Sequence, residues 1–122
     1  MHALLLPFGK SLYAVPFKDV RQVLSRPRLA ALPLAPKSVL GLVNFGGEIS
    51  PAYDSAALLN LPDFEAPYLV LLETSVGMAG ITVSDIPVPA DLNAAEPGFY
   101  ALQEESIPLL DVEQVLVSLW SK

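Results

Sequence analysis

The fourteen-residue stretch GLVNFGGEISPAYD, from Gly41 to Asp54, constrains the fold more than any other part of the sequence. It contains three glycines and a proline among short apolar runs. This pattern favours two short strands, and consecutive glycines supply the backbone freedom that a tight hairpin turn needs. The sequence therefore predicts a β-hairpin over residues 41–53 that turns near Gly46 and Gly47. No nucleophile with a neighbouring base occurs in the stretch, so the hairpin needs a role other than catalysis.

The rest of the chain also divides into short segments. Apolar runs bounded by glycine or proline predict further strands, with turns near Gly9 and at residues 75–77. Helical spacing of apolar residues predicts short helices. The predicted strands cover residues 3–8, 11–17, 68–74, 78–89 and 106–111. The predicted helices cover residues 18–24, 55–61 and 112–120. Residues 91–98 are predicted to form a loop. The expected class is mainly β with short helices, one of them C-terminal.

A weak internal repeat relates PAYDSAALL, residues 51–59, to PLLDVEQVL, residues 108–116. Each copy ends a strand at an aspartate and continues into a helix. Asp54 and Asp111 therefore occupy N-cap positions, where a carboxylate accepts backbone N–H bonds. Capping is a more common role there than a paired-carboxylate active site. The repeat indicates two small β units, each closed by a short helix, and units of this size need to share one core.

The size and composition agree with one domain over residues 1–122 made of two such units. Hydrophobic residues make up 52% of the 122 residues and charged residues 16%. This composition requires either a generous core or apolar surface reserved for a partner. The chain contains no cysteine, which excludes disulfides and thiolate metal sites.

Residue patterns typical of enzymes are absent. His2 is the sole histidine, so the sequence offers neither an ordinary zinc cluster nor an internal Ser-His-Asp triad. No G-x-S-x-G motif, phosphate-binding loop or dinucleotide fingerprint occurs. We expect a non-catalytic binding module without a cofactor or a metal.

The charge distribution limits the possible partners. The net charge is −6, which disfavours nucleic acid. All but one of the basic residues lie in the first third of the chain, at Lys10, Lys18, Arg21, Arg26, Arg28 and Lys37. The asymmetry predicts either two flanks that dock different partners or ordinary solvated faces. No signal peptide or membrane-spanning run is recognisable, so the expected location is the cytoplasm, without membrane insertion.

Four motifs in order resemble the CheW family of chemotaxis adaptors, which includes the regulatory domain of the CheA histidine kinase. They are YAVPFKDVRQVL, LPLAPKSVLGLVNFGGEISPAYD, YLVLLE and IPLLDVEQVL. The resemblance spans nearly the whole chain. It implies two small, intertwined five-stranded β-barrels that share a core, in agreement with the repeat.

The resemblance also implies a function. The chain would couple the cytoplasmic tip of a chemoreceptor to a two-component histidine kinase through the regulatory domain of that kinase. Gly41 and Gly47 match the two glycines of the family motif G-x-x-N-L-R-G, and Asn44 matches its asparagine. Gly46 replaces the arginine of that motif, and Phe45 replaces its leucine. The positions that the resemblance assigns to partner binding are Phe17, Lys18, Val20, Arg21, Gly41, Asn44, Phe45, Gly46 and Gly47.

Several alternatives remain open on the sequence alone. The first concerns the pathway, which controls flagella, pili or another chemosensory-like output. The second concerns the function itself, because a β-barrel that binds a small molecule is an alternative to an adaptor. Phe45 either anchors the receptor, with Phe17 and Val20 completing the lining of the same groove, or points into the barrel core. Two explanations of the glycine at position 46 are open. Either the turn needs a positive φ there, or the receptor lacks the carboxylate that an arginine would meet.

Overall fold

The computed structural model describes residues 1–75, 77–96, 99–102 and 105–120 of the chain. Val76, in the predicted turn at residues 75–77, lies outside the described residues. Strands dominate the described part, and the few helices are short. In chain order the strands are β1 His2–Phe8, β2 Ser11–Pro16, β3 Val20–Ser25, β4 Val39–Phe45, β5 Glu48–Tyr53, β6 Tyr68–Thr74, β7 Gly77–Val83, β8 Val88–Asp91, β9 Asn93–Glu96, β10 Phe99–Leu102 and β11 Glu105–Pro108. The helices are a 3-10 helix Phe17–Asp19, α1 Ser55–Leu58 and α2 Val112–Trp120.

The strands of the described residues pair into three sheets. A five-stranded sheet has the order β3-β6-β7-β5-β4, and two three-stranded sheets have the orders β2-β1-β8 and β11-β10-β9. The pairing is antiparallel except between β5 and β7. The two smaller sheets are joined where Leu110 N donates to Ala14 O at 2.8 Å. The prediction of a mainly β fold is confirmed, and closure of the sheets into barrels stays a prediction.

One hydrophobic cluster connects the five-stranded sheet with the β2-β1-β8 sheet. Because side chains alternate along a strand, β1 directs Leu4, Leu6 and Phe8 into this central cluster and Ala3 and Leu5 into a second one. The central cluster also takes its members from β2, β5, β6, β7 and α2. This cluster is a core shared between two of the sheets, and the division of the chain into two β units stays a prediction.

The hairpin predicted over residues 41–53 is confirmed as β4 and β5, and the predicted C-terminal helix is confirmed as α2. The helix predicted over residues 18–24 is wrong, because only the 3-10 helix 17–19 forms before β3. A bulge in β3 between Val20 and Gln22 inserts one residue. Val20 and Val23 therefore both contact the central cluster, which gives a strand the i, i+3 spacing of a helix.

The loop predicted over residues 91–98 is also wrong where the structure describes it. Asp91 ends β8, and β9 follows at Asn93–Glu96. β8 is specified by pairing with β1, which is distant in the sequence, and β9 by pairing with β10, which follows it. Residues 90–96 are mostly alanine, aspartate, asparagine and glutamate, which carry little strand propensity, so local sequence did not reveal this part of the two strands. The strand predicted over residues 78–89 is wrong in being continuous, because β7 ends at Val83 and β8 begins only at Val88. Residues 97–98 of this predicted loop lie outside the described residues.

Candidate functional site

The turn between β4 and β5 depends on its two glycines. Gly46 and Gly47 have φ of +60° and +87°, and Phe45 pairs with Glu48 across them. Positive φ at both central residues is what a type I′ turn requires. Asn44 Oδ1 accepts a hydrogen bond from Gly47 N at 3.1 Å, which fixes the turn from the side. Three of the sequence-predicted binding residues therefore shape the backbone of the hairpin tip.

Gly41 allows a close approach between two chain segments. Its φ is +154°, and a Cβ placed on it would lie 2.5 Å from the main-chain oxygen of Ala30. Next to it, Ala30 and Leu42 exchange two main-chain hydrogen bonds of 2.8 and 2.7 Å. Glycine at position 41 thus permits the connection between β3 and β4 to fold back onto the outer edge of β4.

This return forms an open groove of about 760 Å³ along the edge of β4. Phe45 is half-buried in it and packs, with Leu24 and Leu29, against a third hydrophobic cluster. Ile49 on β5 is 59% exposed. The residues that line this edge groove are Leu24, Pro27, Arg28, Leu29, Ala30, Leu42, Val43, Asn44, Phe45 and Ile49. The groove places an apolar surface immediately beside the hairpin tip.

Arg21 is held beside the hairpin by two carboxylates. Its Nη1 donates to Glu73 Oε1, and its Nη2 lies 3.3 Å from Glu48 Oε1. The hydrogen bond with Glu73, and next that with Glu48, raise the pKa of the Arg21 guanidinium above its ordinary value. Arg21 lies near the turn but is already paired within the chain, so it is not a free replacement for the family arginine absent at Gly46.

Phe17 and Lys18 lie on a different surface. They line a shallow depression together with Met1, His2 and Pro16. Phe17 is 40% exposed, and its ring centroid is 4.6 Å from that of His2. Val20 is half-buried against the central cluster. The structure thus brings together Gly41, Asn44, Phe45, Gly46 and Gly47, places Arg21 nearby through Glu48, and leaves Phe17, Lys18 and Val20 outside the lining of the edge groove.

Sequence reasoning missed Leu24, Leu29, Arg28 and Ile49 as parts of this site. The groove arises because residues 27–30 return to β4, and pairing between distant segments leaves no periodic signal in the sequence. Gly41 was the one local sign, since a glycine inside a strand often marks a close approach of another backbone.

Carboxylates also gather in a cleft of about 170 Å³ between β2, β6 and the start of α2. Three of the four carboxylates that line it have a hydrogen-bond partner: Glu73 accepts from Arg21, Glu113 accepts from Ser75 N at 2.6 Å, and Asp111 accepts from Gln114 N at 3.1 Å. The other capping aspartate, Asp54, accepts from Ala56 N at 3.1 Å. Asp54 and Asp111 thus act as helix caps.

Two further structural findings concern the described residues. No group of three or more His, Asp or Glu side chains among them is arranged to hold a metal ion. None of their helices is long and apolar enough to cross a membrane.

The described residues thus form a mainly β domain with an apolar groove at one sheet edge. The model of the CheW-like domain family matches residues 2–119, and the chain belongs to this family. Among solved structures, the chain is similar to the scaffolding protein TtCheW from Thermoanaerobacter tengcongensis, with a TM-score of 0.75 and 17% sequence identity. That match covers 88% of this chain and 86% of TtCheW. No curated protein sequence matches the chain.

Proposed function

We propose that the protein is a non-catalytic adaptor that couples chemoreceptors to a two-component histidine kinase. Membership of the CheW-like family over residues 2–119 carries this proposal and supports an adaptor role in chemotaxis signalling in general. The proposed partners are the regulatory domain of the kinase and the cytoplasmic tip of the receptor, so the proposed location is the cytoplasm. The proposal includes neither a nucleic-acid partner nor insertion into a membrane.

The hairpin tip and edge groove are the proposed receptor surface. Phe45 is half-buried in the groove and would be the anchor, while Gly46 presents no side chain to a receptor carboxylate. The positive φ at Gly46 gives a backbone reason for this glycine. With Arg21 paired to Glu48 and Glu73, recognition would depend on apolar contact more than on charge. Phe17, Lys18 and Val20 would contribute a second contact area.

A titration with the cognate kinase's regulatory domain tests the proposal. We expect a micromolar dissociation constant, on the order of −8 kcal/mol of binding free energy. Isothermal titration calorimetry measures this dissociation constant. The adaptor proposal fails if no binding is detected up to millimolar concentrations of the regulatory domain.

An adaptor of a pilus or another chemosensory-like pathway is the alternative within the same fold. It predicts the same kinase affinity, but with a receptor from a different pathway. The two pathways are distinguished by identifying the receptor that binds this protein, either in competition with the kinase or together with it.

A further inference from the structure

The outer edge of β4 is only partly paired. Leu42 exchanges both of its outward main-chain hydrogen bonds with Ala30. Main-chain groups two residues apart on a strand point to the same side, so the N–H and C=O of Asn44 also point outward. Within the part of the chain that the structure describes, no main-chain partner meets them. Asn44 therefore offers one open position for an additional strand.

The chain itself turns away before it reaches this position. Arg26 N donates to Pro67 O at 2.8 Å, which draws the residues before Ala30 towards the connection that leads into β6. Pro27 has no N–H with which to extend the pairing. The resulting gap between residues 27–30 and the end of β4 is the edge groove.

The side chains around the open position are mostly apolar. Ile49 faces Asn44 across the β4–β5 ladder and is 59% exposed, and Phe45 follows Asn44 on the strand. Proteins usually protect an apolar sheet edge with charges, prolines or a covering segment. An unprotected edge of this kind fits a partner strand, because main-chain bonds supply affinity and side-chain pockets supply specificity.

The charge of the groove indicates the chemistry of the segment. Arg28 is the sole ionised side chain that lines it, and no carboxylate does. Among the described residues Arg28 is in no ion pair, whereas its neighbour Arg26 lies 3.5 Å from Glu65. A carboxylate on the incoming segment would complement this unpaired guanidinium.

We propose that β4 accepts an extended segment of a partner protein as an added strand at Asn44. The segment places apolar side chains in the edge groove and a carboxylate beside Arg28. The inference rests on the proposed adaptor function, because it describes how one partner of the adaptor is held. Its test uses a free peptide, so that its failure is distinguishable from failure of the kinase titration.

The probe is a short capped peptide of alternating valine and threonine with one aspartate, titrated into the isotopically labelled protein and followed by NMR. We expect saturable shifts of the Asn44 amide and its neighbours. A peptide with lysine in place of aspartate should bind about threefold more weakly. Methylation of the peptide nitrogen that faces Asn44 O removes one main-chain donor and should weaken binding by roughly three- to tenfold.

Variants of the protein locate the contact. Ile49→Ser should weaken the binding of the aspartate peptide by about tenfold, because the substitution removes a large apolar contact. The matched control Ile86→Ser alters an equally exposed isoleucine, at 60%, and should change nothing. Arg28→Glu should invert the preference between the aspartate and lysine peptides.

Four outcomes would overturn the proposal. They are the absence of saturable shifts at Asn44 with millimolar peptide, equal binding of the N-methylated peptide, equal loss in Ile49→Ser and Ile86→Ser, and shifts at Asn44 that follow protein concentration without any peptide. The last outcome would assign the edge to a second copy of this chain.

Discussion

Strand β6 and the β4–β5 hairpin belong to one sheet but are specified in different ways. In β6, Leu69 and Leu71 enter one hydrophobic cluster and Val70 and Leu72 enter another, so the strand is buried on both faces. It also pairs with β3 and β7 on its two sides. The hairpin lies at the sheet edge, turns on glycines with positive φ, and leaves Ile49 exposed.

The difference separates two roles within one sheet. The central strand uses side-chain burial, which contributes stability in proportion to the apolar area removed from water. The hairpin uses backbone shape to hold apolar side chains and main-chain groups where another molecule can reach them. We therefore expect substitutions in β6 to affect folding, and substitutions at the hairpin tip to affect recognition unless they disturb the glycine geometry.

The largest effect is expected for Leu71→Ala. Leu71 is fully buried in β6, so the change should lower the free energy of unfolding by about 2–5 kcal/mol. Leu34→Ala is the matched control, because Leu34 is completely exposed and should change stability by less than about 0.5 kcal/mol. Urea denaturation measures both, and similar losses in the two variants would contradict the burial assigned to β6.

Gly41→Ala should come next, with a loss of roughly 1–3 kcal/mol. The added Cβ would collide with Ala30 O, and the neighbouring exchange of hydrogen bonds between Ala30 and Leu42 should break. Hydrogen exchange at the Leu42 amide should accelerate in the variant. Unchanged protection of that amide would show that residues 27–30 do not rest on β4 as described.

A smaller effect is expected at Gly46. Gly46→Arg should cost about 1–2 kcal/mol, because an L side chain at φ of +60° is strained. Gly46→Asn is the control, since asparagine tolerates this conformation and suits a type I′ turn. No atom lies within 4 Å of a Cβ at position 46, so neither variant is sterically blocked. Equal melting temperatures for both variants would refute the backbone explanation and favour a receptor that lacks the matching carboxylate.

The sequence was informative where local chemistry decides the structure. The Gly46–Gly47 turn, the apolar run of β6 and the aspartates before α1 and α2 all follow from residue types at fixed spacing. The bulge in β3 made a strand resemble a helix in the sequence. Because the bulge adds one residue, Val20 and Val23 face the same core although they are three residues apart.

The candidate site was predictable only in part. The hairpin residues could be located, but the edge groove depends on Ala30 meeting Leu42, a contact between segments with no shared pattern. The ion pairs that hold Arg21 join β3 to Glu48 and Glu73 on other strands. Contacts of this kind follow from the assembled sheet and not from the local sequence.

The most direct test of the account measures Phe45→Ala for affinity to the receptor tip, affinity to the kinase regulatory domain and melting temperature. Phe45 is half-buried, so its loss should lower the free energy of unfolding by only about 1–2 kcal/mol. Receptor binding should weaken by roughly 2–4 kcal/mol, as for an interface anchor, while kinase binding stays nearly unchanged. Equal loss of both affinities together with a strongly lowered melting temperature would contradict the account, because Phe45 would then act as a core residue.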